Sequence, residues 1–255
     1  MLLKLLTYNI LNGGVGREEQ LFEIIRQQRA DIILLQEVGT STLVQRIASD
    51  VEAEFFIAQG NSGHHLALVS RLPLKWQNSF HPAPLAHTML EARIEYGLGR
   101  ELAIFGVHLA APAYHILIEL WRMVELRTIL RRIAKIHPGA YILAGDFNSI
   151  APGDPVDIKS LPWSLRVSIF LHGGLIARQV IGFVRRAGLI DCYRLLHPNE
   201  PGFTLPAARP NARLDYIFVN RLLEKNVRAC DVTMTSPTVR QASDHLPVMV
   251  KLELN

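Results

Sequence analysis

Leu2-Leu3-Lys4-Leu5-Leu6-Thr7-Tyr8-Asn9-Ile10 and Ile32-Ile33-Leu34-Leu35-Gln36-Glu37 decide the fold class of this chain. Both are apolar runs of strand length, and polar groups cluster at their ends: Asn9 in the first, Gln36 and Glu37 in the second. Between them, Arg17–Arg29 sets Leu21, Ile24 and Ile25 at helical spacing among charged and amide residues. A strand, an amphipathic helix and a strand open an α/β layered fold with helices packed on sheet faces.

Working outward, the same reading predicts strands at Leu66–Ser70, Met89–Tyr96, Leu102–Val107, Tyr141–Ala144, Arg213–Val219, Val227–Thr233 and Val248–Leu254. A long helix is expected over roughly Ala113–Ile136, apolar at Leu117, Leu120, Val124, Ile129 and Ile133. Repeated apolar strands point to two sheets packed face to face, each covered by helices. Periodicity does not fix the strand order.

The 255 residues are 49% hydrophobic and 20% charged, which excludes a disordered or fibrous chain. No linker, charge block or internal repeat divides them, so one domain over 1–255 is expected. A net charge of +4 is compatible with an anionic substrate but does not identify one. Cys192 and Cys230 are too few for a disulfide framework and are expected as reduced thiols. Met1–Leu6 runs into the first strand without a long apolar stretch or cleavage site, so no signal peptide is expected. The greasiest region, Leu161–Val184, is interrupted by Arg166, His172, Gly173-Gly174 and Arg178. It falls short of the ~20 apolar residues a membrane span needs. The expectation is a cytoplasmic protein without an obligate protein partner.

Polar residues fall in telling places. Asn9, Glu37, His108, Asp146, Asn148 and Asp215 lie within or at the ends of apolar strands, and Asp244-His245 immediately precedes another. A buried carboxylate is costly unless paired or bound to a metal. Several at strand ends imply one shared site.

Gly145-Asp146-Phe147-Asn148 can aim a carboxylate and an amide into one cleft, where they would serve Mg²⁺, a phosphate or a water; taken alone, it is equally an Asx-turn. Asp244-His245 offers a histidine for general base catalysis or phosphoryl contact, against a turn capped by Ser243 or Asp244. Asp215 admits either a buried salt bridge with Arg213 or a histidine partner. Glu37 reads as a metal ligand or a surface carboxylate. A lone His108 reads more readily as a core residue, and a lone Asn9 as a turn residue.

In order, Thr-Tyr-Asn-Ile at 7–10, Gln-Glu at 36–37, Ser-Arg-Leu-Pro-Leu at 70–74, Val-His-Leu at 107–109, Gly-Asp-Phe-Asn at 145–148, Arg-Leu-Asp-Tyr-Ile-Phe at 213–218 and Ser-Asp-His-Leu-Pro at 243–247 span nearly the whole chain. The set resembles the endonuclease/exonuclease/phosphatase superfamily, the group of DNase I, the AP endonucleases, neutral sphingomyelinases and inositol-polyphosphate phosphatases. The resemblance implies a four-layer α/β/β/α sandwich of two central mixed sheets, with the site at one end, and a metal-dependent phosphoric ester hydrolase. It also implies that Glu37 binds Mg²⁺ or Mn²⁺ with help from Asn9 and Asp244. Asp146 and Asn148 would position water and phosphate, and His245 would pair with Asp215. His108 would be the second histidine, as in the DNase and sphingomyelinase branches. Arg71 and Arg213 are further candidates for binding substrate. One departure matters: AP endonucleases place an acid two residues after the first-strand Asn, and here Leu11 stands there. That moves the expectation from abasic-site cleavage towards the DNase or sphingomyelinase side.

For substrate, the leading expectation is nucleic acid, DNA before RNA. Arg127, Arg131 and Lys135 make a basic stripe on the long helix, with His64-His65 and Arg93 as possible additions, although such stripes are often only solvated faces. The alternative is a lipid phosphodiesterase or phosphatase, because 161–186 is apolar, carries four arginines and offers Trp163, Val167, Phe170 and Leu171 to a membrane surface. A non-catalytic binding module is a third reading, which none of the main motif residues, all present, favours. His81, His87, His137, His172 and His197 are given no role.

Overall fold

The side chains of a strand alternate between faces, and here that alternation sorts core from site. In the computed structural model, which describes residues 1–60, 63–97, 99–111, 116–137, 139–161, 163–171, 176–234 and 238–254, the chain runs β1 (Leu2–Asn9), α1 (Glu18–Gln28), β2 (Ile32–Val38), α2 (Ser41–Asp50), β3 (Glu54–Ala58), β4 (His65–Ser70), β5 (Leu74–Phe80), β6 (Met89–Gly97), β7 (Arg100–His108), α3 (Ile116–Ile136), β8 (Tyr141–Asp146), α4 (Trp163–Leu171), α5 (Gln179–Arg186), β9 (Ile190–Asp191), α6 (Cys192–Leu196), β10 (Asp215–Val219), β11 (Val227–Val232), α7 (Val239–Ala242) and β12 (Val248–Glu253).

Two six-stranded sheets result, in the orders β11-β12-β1-β2-β4-β3 and β5-β6-β7-β8-β10-β9. Each is antiparallel except for one central parallel pair, β1 with β2 and β7 with β8. Leu3, Leu5, Ile32, Leu34, Leu66, Leu68, Val248 and Val250 of the first sheet meet Leu90, Ala92, Leu102, Ile104, Ile142, Ala144, Ile217 and Val219 of the second in one buried layer. Each fully buried Leu, Ile or Val there contributes about 1.5–3 kcal/mol by leaving water. On the opposite face of the first sheet, Leu6, Tyr8, Ile33 and Leu35 pack under α1, α2 and α7. Phe105, Val107, Leu143, Phe147 and Phe218 pack under α3 and α5 on the second. The layering is the expected α/β/β/α. Cys192 and Cys230 are free and buried. Among the described residues no helix is long and apolar enough to cross a membrane.

The departures from the sequence reading have physical causes. β3, β5 and β9 were not expected; all three lie at sheet edges, where β5 interleaves Lys75, Gln77, Asn78 and Ser79 with its apolar residues and β9 is only two residues long. α2, with Leu43, Val44, Ile47 and Ala48 buried, was also missed. The expected long helix is present, with its first three residues, 113–115, outside the described set. Its apolar assignment fails at three of five positions: Ile129 and Ile133 are buried, while Leu117, Leu120 and Val124 face solvent. Glu119, Arg122 and Glu125 are buried instead. His172 lies outside the described residues.

Candidate active site

A parallel strand and its antiparallel neighbour bring opposite chain ends to the same edge, and this gathers the site. Asn9 ends β1, Glu37 lies near the end of β2, His108 ends β7 and Asp146 ends β8. Asp215 begins β10 directly opposite Asp146, which on its other side pairs with His108. Thr7 pairs with Val248 at the start of β12, so Asp244 and His245 arrive just beyond it. In register, Asn9 continues the face of Leu3 and Leu5, His108 that of Leu102 and Ile104, Asp146 that of Ile142 and Ala144, and Asp215 that of Ile217 and Val219. The site is the polar end of the inter-sheet core.

Asp146 is its centre. Asn9 Nδ2 donates to Asp146 Oδ2 and to Glu37 Oε1, both at 3.1 Å. Asn148 N donates to Asp146 Oδ1 at 2.8 Å, and Asn148 Nδ2 to Leu109 O at 3.0 Å. His108 Nε2 and His245 Nε2 lie 3.6 and 3.7 Å from Asp146 Oδ2. His245 Nδ1 is 2.8 Å from Asp215 Oδ2. Ligand atoms of Asp146, Asp215 and His245 fall within 4.8 Å of one another.

Local backbone explains why these residue types stand here. Gly145 has φ +137, and a Cβ on it would lie 1.9 Å from Val107 O, so only glycine lets β8 pass β7 before Asp146. Asn148 has φ +47, which Asn tolerates; Glu37 has φ +60, which it does not favour. The β2–β4 register also shifts between Leu35 and Val38, a bulge that turns Glu37 out of the strand alternation. Asn12 N, donating to Glu37 Oε2 at 2.8 Å, holds the strained residue in place. Ser243 Oγ donates to Asn9 O at 2.7 Å and accepts from His245 N at 3.2 Å, tying the last motif to the first strand.

Electrostatics follow from burial. Burial alone would lower the His245 pKa, but the carboxylates of Asp215 and Asp146 outweigh it and push it up to about 10. Burial raises Asp215 above the usual carboxylate range against the pull of His245. Glu37 is also opposed by burial, yet Asn12 N, Asn9 and the nearby His108 and His64 hold it below its ordinary value. The bracketed imidazole is therefore a cation at neutral pH.

Asn9 keeps its place in the cluster, with Nδ2 donating to Glu37 and Asp146 and Oδ1 accepting from Leu11 N at 3.0 Å. Two expectations change. Arg213 is 1% exposed; it bonds Asp154 at 2.7 Å and Asp191 at 2.6 Å and lies 4.5 Å above the Tyr216 ring, so it braces the loops behind the site instead of meeting substrate. The salt bridge weighed against a histidine for Asp215 thus forms between Arg213 and other acids. Arg71 N bonds Asp31 O, and Ser70 pairs with Ile32 at the start of β2, which puts Arg71 at the opposite end of the sheet from Glu37. The Arg127, Arg131 and Lys135 stripe is exposed on the half of α3 that runs away from His108.

The sequence reading missed the support beneath the site. Glu125 accepts from Ala86 N at 2.8 Å and Ala110 N at 3.0 Å, and Arg122 donates to Ala110 O at 2.7 Å. Glu119 binds Arg122 and accepts from Ser149 Oγ and Val180 N. One helix thereby fixes the loops after His108 and after Asn148. The available signal was Glu119, Arg122 and Glu125 recurring every three residues on the face later taken by Leu126, Ile129 and Ile133.

Residues 6–245 match the sequence profile of the Endonuclease/Exonuclease/phosphatase family. No curated protein matches the chain in sequence. Among solved structures, a 3'-5' exonuclease from Neisseria meningitidis superposes with a TM-score of 0.75 at 19% identity, over 99% of this chain and 100% of that one. An AP endonuclease from Archaeoglobus fulgidus gives 0.74 at 17%, over 99% and 100%. D. rerio TDP2 complexed with a single-strand DNA product gives 0.70 at 17%, over 99% of each. At these identities the likenesses establish the fold.

Proposed function

This chain belongs to the endonuclease/exonuclease/phosphatase family of phosphoester hydrolases, and from that premise we propose that it is a divalent-metal-dependent phosphodiesterase acting on nucleic acid, DNA before RNA. The observation that carries the reading is His245, bracketed by Asp215 at 2.8 Å and Asp146 at 3.7 Å beside Glu37 and His108. Nucleic acid is favoured because the similar folds include enzymes solved with DNA products.

The donor set fits a hard cation. Glu37, Asp146, Asp215 and Asp244 gather their carboxylates around two imidazoles, an excess of negative oxygen that Mg²⁺ or Mn²⁺ would neutralise. Glu37 and the half-buried Asp244 would hold the ion, with Asn9 orienting Glu37. When bound, it supplies Lewis-acid neutralisation of charge on the phosphoryl oxygens. Asp146, fixed by Asn148 N and Asn9, accepts the proton of the attacking water as its oxygen bonds phosphorus. His245, kept cationic by Asp215, neutralises the charge that builds on a non-bridging oxygen. As the bond to the leaving oxygen breaks, His108 gives that oxygen a proton, and Asn148 orients the phosphate.

A second reading, lipid phosphodiester or phosphomonoester hydrolysis, is favoured by one specific observation. Helix α4 exposes Trp163 (75%) and Phe170 (79%), and the first turns of α3 expose Leu117, Leu120 and Trp121.

The test offers Mg²⁺- or Mn²⁺-loaded protein plasmid, single-stranded DNA, RNA, sphingomyelin and phosphoinositides, beside His245→Ala. Nucleic-acid cleavage lost in the variant and in chelator supports the proposal. Lipid turnover without nucleic-acid cleavage overturns the substrate, and activity indifferent to chelator overturns the mechanism.

A further inference from the structure

Asp215 and His245 arrive from distant parts of the chain, and one residue that no motif marks is bonded to the backbone of both. Before β10, the segment from Gly202 to Leu214 folds back on itself, closed by a single bridge between Leu205 and Ala212. It enters that turn against Tyr193: Gly202 has φ +62, and a Cβ there would lie 2.3 Å from the ring. Two residues on, Thr204 is 0% exposed. Its N donates to Ala212 O at 2.8 Å, and its O accepts from Leu246 N at 2.7 Å. Its Oγ1 accepts from Leu214 N at 3.1 Å and from Asp215 N at 3.3 Å. In the same segment Ala207 N donates to Asp244 O at 2.6 Å.

These bonds answer a local need. β9 pairs with β10 only at Phe218 and Val219, so this edge strand does not reach Asp215. A buried N–H without an acceptor is costly, and the threonine hydroxyl supplies one for two successive residues. The consequence extends beyond β10. Leu246, whose amide Thr204 O accepts, directly follows His245. Thr204 is therefore bonded to the chain on both sides of the 2.8 Å contact between Asp215 Oδ2 and His245 Nδ1. Leu214 O in turn accepts from Phe147 N at 2.9 Å, which ties the same hydroxyl to the backbone between Asp146 and Asn148.

We infer that Thr204 is a positioning residue of the site: its hydroxyl fixes the backbone of Asp215 and its carbonyl oxygen the backbone beside His245, so that the imidazole stays between Asp215 and Asp146. It touches no substrate and acts through the pair. In its kinetic consequence the inference rests on the phosphoester-hydrolase reading. Any side chain of this size would fill the space, but two amide donors ending at Asp215 need an oxygen.

The test follows two signals in the Mg²⁺-loaded protein: hydrolysis of bis-para-nitrophenyl phosphate, and the downfield proton resonance of His245 Nδ1–H, assigned by its absence from His245→Gln. Thr204→Val removes the hydroxyl and keeps the shape. Its kcat should fall about ten- to a hundredfold, as when a reacting group is slightly misplaced, with KM within about threefold of wild type. The resonance should move upfield or broaden. Thr204→Ser restores the oxygen, and should bring back both the resonance and kcat to within about threefold. Wild-type kcat and an unmoved resonance in Thr204→Val overturn the inference, whatever its melting temperature. A Thr204→Ser protein as slow as Thr204→Val traces the effect to packing and overturns it too. If Thr204→Val does not fold, amide exchange in the wild type decides. The Leu214, Asp215 and Leu246 amides should be protected together, and exchange at the rate of open loops refutes the bracing. A wild type that hydrolyses nothing sinks the parent reading, while the resonance and the exchange, which need no turnover, still decide on Thr204. Normal hydrolysis with an unmoved resonance in Thr204→Val sinks Thr204 alone.

Discussion

His245 Nδ1 lies 2.8 Å from Asp215 Oδ2, while Nε2 of the same ring lies 3.7 Å from Asp146 Oδ2. The imidazole is thus fixed by one carboxylate and aimed at another. Asp215→Asn keeps the shape and removes the charge. We expect kcat to fall by about 10²–10³, the usual worth of a positioned group that stabilises transition-state charge, with KM changed severalfold at most. Steady-state kinetics beside a thermal melt check this, and an unchanged kcat would remove the pair from the mechanism.

The pair also sets a pH dependence. Despite burial, Asp215 and Asp146 raise the pKa of His245 from its ordinary 6.5 to about 10. The folded state therefore binds this proton more tightly than the unfolded one. Its stabilisation is fully present below pH 6.5, declines as pH rises and is gone above about 10. Metal-free wild type should lose more stability than Asp215→Asn across that window in urea titrations. Parallel losses in the two proteins would show that His245 is not held as a cation.

How much of this was legible depends on what each residue does. Asn9, His108, Asp146 and Asp215 were visible because a polar group that continues the inward face of an apolar strand has no place in a core. β5 was not, since this edge strand interleaves Lys75, Gln77, Asn78 and Ser79 with its apolar residues and loses the apolar run. Arg213 misled for a related reason: sequence shows a cation beside Asp215, but not that Asp154 and Asp191 arrive from distant loops to take it. Leu117, Leu120 and Val124 misled because apolar spacing cannot reveal that backbone N–H groups under the helix call for Glu119 and Glu125 instead.

Arg213→Met tests that correction. It leaves Asp154 and Asp191 buried without their shared partner, although Arg194 still reaches Asp154 at 3.0 Å. Breaking a buried pair in this way costs about 3–5 kcal/mol of stability. The protein that remains folded at low temperature should keep kcat/KM within about threefold of wild type, since lost transition-state contacts would appear there. A large rise in KM with unchanged stability would return Arg213 to the substrate.

Glu37→Gln keeps a side chain able to accept from Asn12 N but removes the negative charge offered to a cation. Chelation should abolish wild-type activity and Mg²⁺ should restore it. In the variant, the Mg²⁺ concentration giving half-maximal activity should rise at least about tenfold, as expected when a hard cation loses a charged oxygen ligand. Calorimetric titration with Mn²⁺ gives the same comparison without turnover. Equal affinity in both proteins would move the ion to Asp146, Asp215 and His245, whose ligand atoms lie within 4.8 Å of one another.

Trp163→Ser with Phe170→Ser separates the two substrate readings. Both rings stand mostly in solvent on α4, so removing them should leave the fold, and cleavage of a soluble phosphodiester, unchanged. If the apolar face docks on lipid, each lost ring withdraws about 1.5–3 kcal/mol of burial from the bilayer interface. Partition onto sphingomyelin-containing vesicles would then fall at least about a hundredfold for the pair. If nucleic acid is the substrate, vesicle binding should be negligible in both proteins and plasmid cleavage equal. Vesicle partition matters more than turnover here, because the Asp146 and His245 arrangement suits any phosphoester that reaches it. What selects among such substrates is the protein surface outside the site, and the exposed Trp163 and Phe170 of α4 are chemically unlike a nucleic-acid groove.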